Sequence, residues 1–197
     1  MNDPVLFWRD RISEVWHQES AFWMRHSSYS FATDDQYIAF CAAKDWIQDT
    51  SEALSAHMRT DFSSDPIKAY LEFWGILQAL FVQQDAICEM IYSFTGSRQL
   101  MPEPIKGSGW QELRDLRNLS VGHPTAKGAS KTGIPTARCV TGRTKKTYRN
   151  ITLSIYRNGS TDHPAINLKE IIQKYQIEAE PFLRYCFCRL LSQVVSK

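Results

Sequence analysis

The stretch DPIKAYLEFWGILQALFVQQDAICEMIYSFTG, residues 65–96, decides the fold. Asp65-Pro66 reads as a helix start, with an acceptor side chain at the cap and a proline whose missing N–H costs nothing in the first turn. Tyr70, Trp74, Leu77, Phe81, Cys88 and Ile91 then recur at helical spacing until Gly96 ends the pattern. A helix this long and this apolar predicts the spine of a bundle. A polar interruption, Gln83-Gln84-Asp85, falls midway along it.

Working outward, helix starts recur. Asp3-Pro4 opens an aromatic stripe through Val5, Trp8, Ile12, Val15, Trp16, Phe22 and Trp23, read as core or interface. Thr33-Asp-Asp-Gln36 and Ser108-Gly-Trp-Gln111 both have capping-box spacing, and Asn167-Leu-Lys-Glu170 opens a further helix. Pro181 either kinks that last helix or starts another. After Pro124 the text turns to Gly, Ser, Thr and Lys and then alternates. Ile151, Leu153 and Ile155 fall on one face, with Ala137 to Val140 expected to pair across a Thr141-Gly142-Arg143 turn. The expected fold is therefore mainly α: an antiparallel bundle of five to six helices with a basic β-hairpin or flap inserted over residues 124–166. Residues 1–33 are expected to form an aromatic helical extension packed on a domain of residues 34–197.

Composition narrows the class. With 43% hydrophobic and 22% charged residues, no apolar run of membrane-span length and no basic-then-apolar leader, a soluble cytoplasmic protein is expected. Five cysteines, Cys41, Cys88, Cys139, Cys186 and Cys188, suit free thiols in a reducing compartment. No Cys or His spacing asks for zinc, and Gly107-Ser108-Gly109 lacks the Lys-Ser/Thr of a phosphate loop, so no metal and no cofactor is expected.

Net charge is +2, but it is segregated. From Leu116 to Thr161 stand Arg117, Lys127, Lys131, Arg138, Arg143, Lys145, Lys146, Arg149 and Arg157 with no Asp or Glu, a run of +9 that leaves −7 elsewhere. Such a run is the footprint expected for a polyanion, and we read Lys127, Lys131, Arg138, Arg143, Lys145, Lys146 and Arg149 as RNA-binding. The alternative is a solvated hairpin, or one that docks on an acidic partner.

The basic run begins in LRDLRNLSVGHPT, residues 113–125, which places Arg117, Asn118 and His123 at the end of a short predicted helix. On an unbroken helix His123 would lie roughly 120° around and about 9 Å along from Arg117. Gly122 and Pro124 relax that separation, because a residue before proline is pushed out of the α region. A guanidinium, an amide and an imidazole converging on one anion suit metal-free phosphodiester chemistry. The alternative is that Arg117 pairs with Asp115 or Glu112 while His123 caps the helix. The same R-N-x4-H spacing recurs at Arg157-Asn158 to His163, and a looser match runs from Arg11 to His17. The first of these passes through a turn and the second lies inside an unbroken helix.

The Arg117-Asn118 to His123 string at a helix end in an α-rich chain resembles the HEPN superfamily. The resemblance implies a HEPN-like bundle and a metal-independent endoribonuclease in which Arg117, Asn118 and His123 are catalytic, cutting RNA by 2′-OH attack to a 2′,3′-cyclic phosphate. It further implies a homodimer, a toxin–antitoxin or phage-defence setting and, as in some HEPN pairs, a nucleotidyltransferase-like antitoxin. It also suggests a supporting polar side chain from another helix, for which Gln84 or Asp85 is the candidate; the alternative places those residues in solvent or in a buried hydrogen bond. A second function class is a catalytically inactive module of the same fold that binds RNA, a nucleotide or a protein partner.

Overall fold

The computed structural model describes residues 3–18, 31–100, 105–122, 127–129, 135–157 and 159–195. The chain is mainly α, with a small antiparallel sheet toward its C-terminal part. Among the described residues the helices are α1 (Pro4–Gln18), α2 (Asp34–Thr60), α3 (Pro66–Thr95), α4 (Gly109–Arg117) and α5 (Leu168–Val195). The strands are β1 (Lys127–Ala129), β2 (Pro135–Thr141), β3 (Ile151–Arg157), β4 (Ser160–Asp162) and β5 (Ala165–Ile166).

Each helix starts where a side chain accepts an otherwise orphaned backbone N–H. Asp3 Oδ1 takes the Val5 N–H at 2.9 Å, Thr33 Oγ1 takes Gln36 at 3.2 Å and Asp65 Oδ1 takes Ile67 at 2.8 Å. Ser108 Oγ takes Gln111 at 3.1 Å, and Asn167 Oδ1 takes Glu170 at 3.3 Å. Pro181 falls inside α5, which runs on through it, so no sixth helix begins there. The helix accepts the loss of one backbone donor.

The chain divides into two compact units, each assembled from separated segments. The first comprises residues 1–53, 82–104 and 176–197. Its core is aromatic: Trp16 lies 4.8 Å from Phe40, and Phe94 lies 5.6 Å from Phe40, ring centre to ring centre. Trp8 of α1 packs on Phe187 at 5.5 Å while its Nε1 donates to Glu180. The Phe22 and Trp23 members of the predicted stripe lie outside the described residues. Gln83 is buried and satisfied, donating to Ser51 Oγ at 2.9 Å and to Thr50 Oγ1 at 3.2 Å.

The second unit comprises residues 54–81 and 105–175. Phe73, Leu77 and Leu80 of α3, Trp110, Leu113 and Leu116 of α4, and Leu168, Ile172 and Tyr175 of α5 are all buried. Trp110 meets Tyr175 edge to face at 5.3 Å. Gly109 permits that approach, since a Cβ there would stand 2.5 Å from the Tyr175 backbone nitrogen.

The sheet has the order β1-β2-β3-β4, with β5 also pairing with β3. Alternation works as read: Ile151, Leu153 and Ile155 are buried, and Cys139 opposes Ile155 on the same face. The hairpin differs from expectation in its connection. No three-residue turn joins β2 to β3; residues 142–150 do, pinched by reciprocal Thr147–Asn150 backbone bonds of 3.1 and 3.0 Å. The inserted segment is thus a five-stranded sheet instead of a lone hairpin.

None of the five cysteines is in a disulfide. Burial raises the pKa of the Cys186 and Cys139 thiols, while Cys188, two residues further on, is exposed. Because the thiolate is the nucleophile, a disulfide probe at neutral pH should label Cys188 rapidly. Cys88, Cys139 and Cys186 should react only on unfolding; mass mapping of the labelled peptides checks this.

Candidate functional site

Helix α4 is short and strongly sided. Trp110, Leu113 and Leu116 bury one face, and Arg114 and Arg117 lie off it, half-buried. The α-helix stops at Arg117, and Asn118–Gly122 continue as a π turn, with the Asn118 N–H shared between the Arg114 and Asp115 carbonyls. A π turn bonds residue i to i+5, so positions five apart come into line along it. Gly122 is therefore brought beside Arg117. A Cβ on Gly122 would stand 2.9 Å from Arg117 Nη1 and 3.5 Å from Asn118 Oδ1. Glycine leaves room for the guanidinium to fold back over the turn toward the residue that precedes His123.

Four groups hold that guanidinium. Arg117 Nε and Nη2 both donate to Gln78 Oε1, at 3.3 and 3.1 Å, and Nη1 donates to Asn118 Oδ1 at 3.1 Å. The Phe81 ring lies beneath, 4.3 Å from the guanidinium carbon, and Arg114 shares the same ring at 4.8 Å. Gly122 closes the remaining side. Two amide acceptors at about 0.5–1.5 kcal/mol each and a stacked ring worth about 0.5–1 kcal/mol together match the roughly 2 kcal/mol of Arg rotamer entropy. The charge is thus positioned, and among the described residues no carboxylate pairs with it. Among the described residues three of the five guanidinium donors are engaged, leaving one on each terminal nitrogen. Neither Asp115 nor Glu112 is among the partners of Arg117, and Glu112 pairs instead with Lys174 at 3.8 Å.

His123 lies outside the described residues, as do Lys131 and the side chain of Lys127, whose backbone on β1 pairs with Ala137. Gln84 is buried and Asp85 exposed, and both belong to the first unit. They sit six and seven residues beyond Gln78, roughly 9–10 Å of helix rise. The polar side chain of α3 that meets Arg117 is Gln78. Gln78 and Phe81, three apart on the spine helix, were the missed signal: such a pair shares one face.

The basic segment separates by burial. Arg138, Arg143, Lys145 and Arg149 are exposed, and β2, which carries Arg138, packs on the π turn. Lys146 corrects the sequence reading. It is 1% exposed, its ammonium donates to the Gly142 carbonyl at 2.6 Å and to that of Thr144 at 3.4 Å, and burial lowers its pKa. Lys146 ties the 142–150 connection and is withdrawn from any phosphate. The competing motif copies are otherwise occupied: Arg11 pairs with Glu14 within α1, and His163 Nδ1 meets Ser154 Oγ at 3.0 Å beside the sheet.

Among the described residues no three His, Cys, Asp or Glu side chains gather as metal ligands, and no helix is long and apolar enough to cross a membrane. No protein-family model, curated protein or solved structure matches this chain.

Gly122→Ala separates positioning from stability. The added methyl meets only side-chain ends, so the thermal midpoint should stay level or rise by a few degrees, as for glycine replaced at an unstrained position. The Arg117 Nε–H resonance should lose its protection from solvent exchange in the same variant. Exchange-resolved NMR beside a melting curve checks both.

Proposed function

We propose that the protein is a HEPN-like, metal-independent endoribonuclease with an antiparallel helical bundle as its scaffold. The observation that carries this reading is the pre-ordered, uncompensated guanidinium of Arg117 at a widened helix end, folded against Gly122, the residue before His123. In this reading two free guanidinium donors grip the scissile phosphate and Asn118 fixes their direction. His123 takes the proton of the attacking 2′-OH or returns one to the departing 5′-oxygen. The products are a 2′,3′-cyclic phosphate and a 5′-hydroxyl.

The exposed Arg138, Arg143, Lys145 and Arg149 supply the phosphate-tracking surface, together with Lys127 and Lys131. A homodimer suits the chemistry, since one turn offers a single Arg and His to a substrate that needs several contacts. A toxin–antitoxin or phage-defence role, held in check by a nucleotidyltransferase-like partner, completes the proposal.

Labelled RNA incubated with the purified protein in EDTA tests the activity. Cleavage should persist, and Arg117→Ala and His123→Ala should each lower it by about 10²–10⁴-fold with an unchanged circular dichroism spectrum. His163→Ala should stay within twofold. Loss of activity in His163→Ala with His123→Ala unaffected would move the site to the second copy.

Salt dependence tests the surface. Removing the charges of Arg138, Arg143 and Lys145 together should reduce the slope of log affinity against log salt by about two to three. Lys146→Met should leave the slope as it is, because that ammonium is already occupied by carbonyls.

A further inference from the structure

A second polar site lies within the same unit, away from the proposed Arg117–His123 chemistry, and shares only Arg149 with the phosphate-tracking surface. A cleft of about 310 Å³ is lined by Met58 and Asp61 at the end of α2, by Thr147, Tyr148 and Arg149 of the pinched turn, and by Lys169 at the start of α5. Tyr148 builds it. Its ring packs on Phe62 at 5.1 Å, its hydroxyl meets His57 Nδ1 at 2.8 Å, and its carbonyl accepts the Lys169 N–H at 2.9 Å. One buried residue thus joins the turn to both helices, and its neighbour Arg149 and its partner Lys169 both line the cleft.

The charges are unspent. Among the described residues neither Arg149 nor Lys169 forms an ion pair, although the chain holds 21 acidic residues. Asp61 stands in the left-handed region, at φ 59°, and uses one carboxylate oxygen on the Phe62 N–H at 2.9 Å. The other oxygen remains as an acceptor. Two cations, one carboxylate, Thr147 and Met58 make a mixed lining that suits a ligand bearing a phosphate, a hydrogen-bond donor and an apolar face. The volume falls at the low end of small-molecule sites, roughly 300–1,000 Å³, which suits one nucleotide and is too small for a folded RNA.

We propose that this cleft binds a single nucleotide unit, its phosphate on Arg149 and Lys169 and its sugar hydroxyls or base amino group on Asp61. The inference stands independently of the ribonuclease reading. Burial, together with the nearby Asp61 and Glu72 charges, raises the pKa of Tyr148, whose hydroxyl meets His57 Nδ1.

Isothermal titration calorimetry on the full chain tests it with adenosine 5′-monophosphate, adenosine and inorganic phosphate. The nucleotide should bind and adenosine should not. Arg149→Gln and Lys169→Gln should each weaken the nucleotide about tenfold, and Arg149→Lys should keep most of the affinity. Asp61→Asn should weaken the nucleotide while leaving inorganic phosphate unchanged or tighter. Competition by a 5′-phosphorylated 2′-O-methyl trinucleotide, but not by its 5′-hydroxyl form, assigns an RNA end; competition by the free nucleotide alone assigns a soluble ligand, and both support the site. No binding of nucleotide or phosphate up to millimolar concentration overturns the proposal. So does full affinity in the folded Arg149→Gln/Lys169→Gln double variant.

Discussion

The candidate site depends on one constraint, a cation held in place by groups that do not neutralise it. An arginine paired with a carboxylate is ordered but its charge is consumed, and a free arginine keeps its charge but must lose rotamer entropy on binding. Arg117 avoids both. Its partners are two amide oxygens and an aromatic face, and the π turn with Gly122 gives the guanidinium somewhere to lie. A continuous α-helix would rotate residue 122 off that face, so the widened turn and the glycine are required together.

The second unit supports the turn from both sides. Leu119 and Ser120 within it are buried, and the Ser120 hydroxyl donates to the Leu116 carbonyl at 2.6 Å, tying the turn back to α4. β2 packs on the same turn, so the sheet that carries the exposed cations is placed with the helix that carries Arg117. Tyr148 does for the far end of the insertion what Phe81 does for the arginine: an aromatic side chain fixes a polar neighbour. The basic run of the sequence therefore resolves into three roles. Arg117 is positioned over a turn, Arg138 and its exposed neighbours present charge to solvent, and Lys146 is spent inside the fold.

Much of this was legible in the sequence because it was local. Asp3, Thr33, Asp65, Ser108 and Asn167 announce helix starts through side chains that reach only two or three residues ahead. The inward face of β3 follows from its period of two. What escaped depends on groups far apart in the chain or on backbone registers that no residue type demands. Gln78 stands 39 residues before the arginine it holds. The π turn has no compositional signature beyond the glycine that fits it. Lys146 looks like its neighbour Lys145 until the connection closes around it, and no periodicity distinguishes a carbonyl-bound ammonium from a solvated one.

The most direct test of the account is the chemistry of the cut ends. An RNA carrying one 2′-deoxy residue at the mapped scissile position should resist cleavage there, while the all-ribo strand gives fragments ending in 2′,3′-cyclic phosphate and beginning with 5′-hydroxyl. Cleavage at the deoxy position, or fragments with 5′-phosphate ends, would contradict a reaction driven by the neighbouring hydroxyl and stabilised by Arg117.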